Sequence, residues 1–253
     1  SRSASGSVAG VGVAGSSTPA RFPTGSVSGN AVLVPSVRIE IWSDVICPWC
    51  YLGSRRLSEA LGQLALDDVE LRWRSFQLDP GAPREPSDLR ASLDLKYGPG
   101  AFDSMTPRLT ALGAQVGIDY RFDKALRVNT ADAHRSIAWA ATQGAALPGG
   151  PQDLLVQTLF RSYFTDGADL CDQSVLVAAA REVGLDADAA GEALASDEFA
   201  AAVSADQAEA VERGITGVPA FVIDDQWLIP GAQEVDQMVR LLSRVGGKEQ
   251  ARR

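Results

Sequence analysis

The chain has 253 residues, with 23 Lys and Arg against 32 Asp and Glu, a formal net charge of −9. Hydrophobic residues make up 45% and charged residues 22%, the range of an ordinary globular protein with a full core. The acidic balance excludes nucleic acid and anionic membrane surfaces as main partners, because both select clustered Lys and Arg. No apolar run reaches the roughly 18 residues of a membrane-spanning helix, and three cysteines are too few for a disulfide scaffold.

Residues 1–36 hold two arginines, Arg2 and Arg21, no acids and one aromatic, Phe22. Gly, Ser, Ala and Val dominate, so the stretch cannot bury enough apolar surface to offset the entropy of ordering it. It is expected to be a disordered extension or a leader, with the folded domain starting near Val37. No Lys/Arg cluster precedes the weakly apolar stretch Val8 to Ala14, so a secretory signal is a poor reading. A cytoplasmic location is expected.

Val37 to Trp42 alternates apolar and polar residues, the period of a strand. Cys47-Pro48-Trp49-Cys50 follows, and Pro48 suits the first position of a helix. Leu52, Leu57, Ala60, Leu61 and Leu64 carry that helix to about Leu66, and Val69 to Phe76 alternates as a second strand. The order β-α-β favours a parallel pair. Pro80, Pro83 and Pro86 mark a connection, after which the chain reads as helical to about Arg213. Thr130 is a candidate N-cap with Gly144 as the stop. Pro151 opens the next helix, Asp172 caps one over Val175–Val183, and Asp186 and Ser196 look like caps for two more. Strand character returns at Pro219 to Ile223. Asp224-Asp225-Gln226 is a tight turn, Trp227 to Ile229 pairs back, and Val235, Met238, Val239, Leu241 and Leu242 line a last helix. The expected organisation is an α/β domain from residues 37–80 and 205–246, a helical insertion over 81–204, and a flexible tail at 247–253.

Cys47-Pro48-Trp49-Cys50 carries the chemistry. A cysteine at a helix N-terminus meets unpaired N–H groups and the positive end of the helix dipole, which favour thiolate, the nucleophile of disulfide exchange. Cys50 lies one turn on and can close the ring, so Cys47 is the attacking residue and Cys50 the resolving one. Two other readings of the pair exist: an inert pair, and half of a zinc site. Zinc needs four ligands, and only Cys171 and His134 remain, with no second paired motif to support them. No metal is expected. Pro219 opens a strand directly after Gly217-Val218. A trans bond there is the statistical default, whereas a cis bond would turn the Val218 backbone toward the cysteines, free to pair with a substrate peptide.

Strand, CxxC at a helix start, and Val-Pro before a β-hairpin and last helix resemble the thioredoxin fold. The helical insertion is similar to the DsbA-like branch. Ile41 to Gly53, Asn129-Thr130 with Ala133-His134-Arg135, Leu159-Phe160 with Tyr163-Phe164, Gly217-Val218-Pro219 and Gly231-Ala232-Gln233 are similar to its FrnE-type group. The resemblance implies a thiol-disulfide oxidoreductase with cis Pro219 facing Cys47. Its redox group would be the Cys47–Cys50 disulfide, with no separate cofactor. Kappa-class transferases and 2-hydroxychromene-2-carboxylate isomerases share the branch but typically place serine where Cys47 stands. Glutathione stays open as a co-substrate.

Three functions follow. One is an oxidoreductase acting on disulfide- or thiol-bearing proteins or small thiols. Another is a glutathione-linked enzyme acting on a small molecule. The last is a non-catalytic, chaperone-like binding module. Pro48, Trp49, Val218, Pro219 and His134 are the expected substrate-side residues. His134 is either a structural residue of the helical lid or a proton donor facing the cysteines. Asp44 is a loop cap or a proton shuttle for Cys50. Trp42 is core. Cys171 is a small buried hydrophobe or a regulatory thiol.

Overall fold

The computed structural model describes residues 20–21, 37–66 and 68–250. Elements run in chain order as β1 (Ala20–Arg21), β2 (Val37–Ser43), α1 (Pro48–Leu64), β3 (Val69–Ser75), β4 (Ser87–Asp88), α2 (Leu89–Tyr97), α3 (Ala101–Gln115) and β5 (Leu126–Arg127). There follow α4 (Ala131–Ala140), α5 (Pro151–Arg161), a π-helical turn (Ser162–Asp166), α6 (Gln173–Glu182), α7 (Ala187–Ala195) and α8 (Ala200–Glu212). The hairpin β6 (Ala220–Ile223) and β7 (Trp227–Pro230) and helix α9 (Val235–Gln250) complete the chain.

The main sheet has the order β1-β7-β6-β2-β3. The β2–β3 pair is parallel, in register from Val37 opposite Val69 to Ser43 opposite Ser75. β6 is antiparallel to β2, with Trp42 opposite Ala220. β2 is therefore central, which explains why nearly all of it is buried. Its alternation sends residues to two faces. Ile39 and Ile41 join Leu71, Trp73, Phe221 and the apolar sides of α1, α5 and α9 in the large core. Trp42 joins Ala210, Ile215, Ala220 and Val222 in a smaller cluster under α8. On that second face Arg74 pairs with Glu40 at 3.1 Å, with Asp206 at 2.8 Å, and with Glu209. The result is the thioredoxin-like α/β fold of the DsbA type, with a helical insertion between β3 and β6.

Several local expectations need correction. The helix opened after Thr130 ends at Ala140, not near Gly144, because Thr142 turns back and takes the Trp139 carbonyl with both its N–H (2.9 Å) and its hydroxyl (2.7 Å). Thr130 holds the N-cap position without a side-chain cap. The cap comes from Asn129, whose Oδ1 accepts from Ala131 N–H at 2.9 Å. Ser196 closes α7 and accepts from Glu198 N–H, while Phe199, in the left-handed region, leads into α8. By contrast Asp172 and Asp186 cap α6 and α7 through their carboxylates. Helix α9 runs through Gln250, so residues 247–250 of the expected tail are helical. Lys248, Glu249 and Gln250 are good helix formers, and extending an existing helix is easy. In the amino-terminal stretch Ala20–Arg21 pairs with β7. The rest of the expected extension, and residues 251–253, lie outside the described residues.

Candidate active site

The site forms where β2 gives way to α1. Cys47 occupies the N-cap position with φ −87° and ψ 111°, and Pro48 enters the helix at its first turn. The loop is closed by Cys47 N–H to Asp44 O (3.0 Å), and the Cys47 carbonyl accepts the N–H groups of Cys50 and Tyr51. Both cysteines are free thiols. Cys47 is 3% exposed and Cys50 1%. The Cys47 thiol points at the Val218 carbonyl, with Sγ 3.7 Å from the oxygen. The Val218–Pro219 bond is cis, Val218 is half-buried and Pro219 is buried. Burial pushes the Cys50 thiol well above its ordinary value, and its hydrogen bond to the Cys47 sulfur pushes it further. The two thiols are thus unequal: one at the helix entrance, the other deeper and held protonated.

Three sets of contacts hold this junction. Gly53 of α1 lies against the Pro219 loop; a Cβ there would stand 3.1 Å from Pro219 Cγ and 3.3 Å from both Ala232 Cβ and Phe221 Cζ. Tyr120, from the segment before β5, donates its hydroxyl to the Pro48 carbonyl at 2.5 Å. Its ring meets Phe164 edge to face, and Tyr51 stacks on Phe160 with centroids 5.0 Å apart. The π-helical turn brings Tyr163 and Phe164 into this aromatic wall, and the Tyr163 hydroxyl is spent on Leu126 O. Burial raises the hydroxyls of Tyr120 and Tyr163 far above their ordinary range. Finally, Asp44 is wholly buried. Its Oδ2 accepts from Leu78 N–H at 2.8 Å, and its Oδ1 lies 3.3 Å from His134 Nε2.

His134, 2% exposed on α4, therefore reaches the loop before the cysteines and hydrogen-bonds neither sulfur. Asp44 tethers β2, the exit of β3 and the helical insertion at one point. Pro48 and Trp49 are half-buried. Trp42 is fully buried and donates its indole N–H to Asp206 O at 3.0 Å. Cys171 is engaged elsewhere: its sulfur accepts from Asn129 N–H at 3.3 Å, and burial raises its thiol. Among the described residues no cluster of three or more His, Cys, Asp or Glu side chains is arranged to hold a metal, and no helix is long and apolar enough to cross a membrane. Tyr120 and Leu78 went unnoticed in the sequence because nothing local marks them: they meet Pro48 and Asp44 across 72 and 34 residues of chain.

The chain as a whole has relatives. The curated protein YwbO of Bacillus subtilis, itself uncharacterized, is 25% identical over 209 residues, covering 82% of this chain and 96% of its own. The crystal structure of a probable DsbA oxidoreductase from Streptomyces coelicolor is 34% identical with a TM-score of 0.77, covering 84% of this chain and 91% of that one. More distant structures share the fold at 18% identity. One is a 2-hydroxychromene-2-carboxylate isomerase, with a TM-score of 0.60 and coverage of 85% and 97%. Another is the cytosolic disulfide reductase DsbM of Pseudomonas aeruginosa, with a TM-score of 0.58 and coverage of 82% and 98%, solved also with GSH. The sequence profile of the DSBA-like thioredoxin domain matches residues 38–243, from the start of β2 into α9, and this chain belongs to that family.

Proposed function

We propose that this protein is a thiol-disulfide oxidoreductase of FrnE type, exchanging disulfides with protein or low-molecular-weight thiol substrates through Cys47 and Cys50. The observation that carries the reading is the inequality of the two thiols. Cys47 sits at the N-terminus of α1 with its sulfur toward the Val218 carbonyl, while Cys50 is buried one turn below with its thiol pushed well up. Attack by Cys47 on a substrate disulfide forms a mixed disulfide and expels one substrate thiolate. Attack by Cys50 then breaks the mixed disulfide, expels the second thiolate and leaves the Cys47–Cys50 disulfide. Two electrons pass to the substrate; in the reverse direction they pass from a dithiol to the protein.

The substrate side of the reading consists of Val218, whose backbone would pair with an extended peptide, and of Pro48, Trp49 and Pro219 around the sulfur. His134 acts behind the site, through Asp44. The 3% exposure of Cys47 favours a thin substrate segment or a small thiol over a bulky one. That observation supports glutathione, with which the distant DsbM was solved, as a second candidate partner. A cytoplasmic location, in which the pair rests mostly reduced, belongs to the same proposal.

Insulin reduction with dithiothreitol tests the reading. The wild type is expected to be active, Cys47→Ser to lose all activity, and Cys50→Ser to accumulate a mixed disulfide at Cys47 visible by mass spectrometry. An inactive wild type with accessible thiols, tested then with glutathione and a small electrophile, would move the assignment to the glutathione-linked alternative. Binding of unfolded protein that survives Cys47→Ser, with no exchange in the wild type, would move it to the chaperone-like one.

A further inference from the structure

One buried hydroxyl beside the cysteine pair has no structural use. Ser43 is the last residue of β2 and is buried. Its carbonyl is taken by Phe76 N–H at 3.1 Å. Its Oγ completes no hydrogen bond while both cysteines are thiols. A buried hydroxyl without a partner is unfavourable, and alanine would fill the same position without that loss. The Ser43 hydroxyl is near enough to the Cys50 thiol that, together with the Asp44 backbone N–H, it favours the ionised form of that group.

The need for such a donor arises in the second half of the exchange. In the dithiol, burial and then the neighbouring Cys47 sulfur hold the Cys50 proton in place. Once Cys47 is bonded to a substrate sulfur, Cys50 must itself become the thiolate in a site that disfavours charge. We propose that Ser43 is a catalytic hydrogen-bond donor to the Cys50 thiolate, idle against the thiol and engaged when Cys50 attacks the mixed disulfide. The inference rests on the exchange reading above and assigns a residue to its resolving step. In that step the Cys50 sulfur bonds to Cys47 Sγ, the bond from Cys47 to the substrate sulfur breaks, and the pair of electrons leaves with the substrate. The proton lost from Cys50 ends on the departing thiolate or on water. The other titratable groups around Cys50 are Cys47 on α1, Tyr120 across the helix entrance, and Asp44 with its partner His134 on α4.

Ellman's reagent separates the two steps in one trace, with Cys171→Ala as the background so that only the pair reports. Attack by Cys47 releases one coloured thiolate and resolution by Cys50 releases the second. Ser43→Ala is expected to leave the first phase unchanged and to slow the second about tenfold near neutral pH, the usual worth of one hydrogen bond to a charged group. The pH profile of the second phase should move to higher pH, and Ser43→Thr, which keeps the hydroxyl, should restore both. A purely structural Ser43 would instead give a second phase and a pH profile unchanged in Ser43→Ala, with a melting temperature equal to or above that of the wild type; this result overturns the proposal. A wild type that releases the first thiolate and never the second would overturn the exchange reading itself.

Discussion

At the scale of single residues, the site is a set of polar atoms that burial has forced into pairs. Cys50 and Cys47 differ by two per cent in exposure, so access hardly distinguishes them. Their electrostatic surroundings do. Because burial and the neighbouring sulfur hold the Cys50 thiol protonated, iodoacetamide at neutral pH should label Cys47 at least about ten times faster, since the thiolate is the reactive form; peptide mass mapping over time checks this. Tyr120 is the second test. Its hydroxyl donates to the Pro48 carbonyl in the first turn of α1. Tyr120→Phe should cost about 0.5–1.5 kcal/mol, the net worth of one hydrogen bond, read as a shift in the urea midpoint of the reduced protein.

At the scale of elements, two close approaches decide the geometry. Gly53 lets α1 touch the loop that carries Pro219. Alanine in a helix interior gains up to about 1 kcal/mol over glycine, yet the new methyl would meet three atoms at 3.1–3.3 Å. Overpacking of this kind costs about 1–3 kcal/mol and wins. Gly53→Ala is therefore expected to lower the melting temperature and to slow exchange by displacing Val218 from Cys47. The other approach is Arg135 of α4, buried against the end of α7. Its guanidinium donates to Ala193 O (2.7 Å), Leu194 O (3.3 Å), Glu198 O (3.1 Å) and Ser196 O, and pairs with Asp132 at 2.9 Å. Removing it takes one partner from the Asp132 carboxylate, which keeps Gln173 and Arg84, and leaves the last carbonyls of α7 without their donor, at about 1–3 kcal/mol. Arg135→Ala should strip hydrogen-exchange protection from Ala187–Ala195. Arg135→Lys should recover less than half of it, since an ammonium lacks the planar fork.

At the scale of the whole molecule, the aromatic wall joins the helical insertion to the half that carries the cysteines, and its tyrosines make that junction sensitive to alkali. Burial raises the hydroxyls of Tyr51, Tyr120 and Tyr163. In the unfolded chain each ionises near pH 10, whereas the folded protein keeps them neutral to higher pH. The stability they contribute is complete below about pH 10 and is lost as pH rises toward the folded values, because the unfolded state then binds fewer protons. Urea unfolding between about pH 9 and about pH 11 should show a falling free energy. Tyr163→Phe should flatten that slope even though it lowers stability at neutral pH.

What could be read from the residues alone follows from local chemistry. Period-2 alternation set out β2 and β3, proline placed the start of α1 at Pro48, and the caps at Asp172 and Asp186 act as expected because capping involves atoms two or three residues apart. The two cysteines of the proposed exchange were legible for the same reason: a helix entrance and one turn of spacing are local facts. The end of α4 and the start of α8 were misread at Gly144 and Ser196, where a hydroxyl or a neighbouring side chain competes for the terminal backbone groups over equally short distances. The burial that raises the Cys50 thiol is non-local. The aromatic wall, the Asp44–His134 pair, the Val218 carbonyl beside the Cys47 sulfur and the idle hydroxyl of Ser43 depend on which strand is central and which helix covers it. By itself the sequence determined that a thiol pair stands at a helix entrance, with Cys47 first and Cys50 one turn on; only the tertiary structure, by burying both sulfurs and deciding what surrounds each, holds the Cys50 thiol protonated.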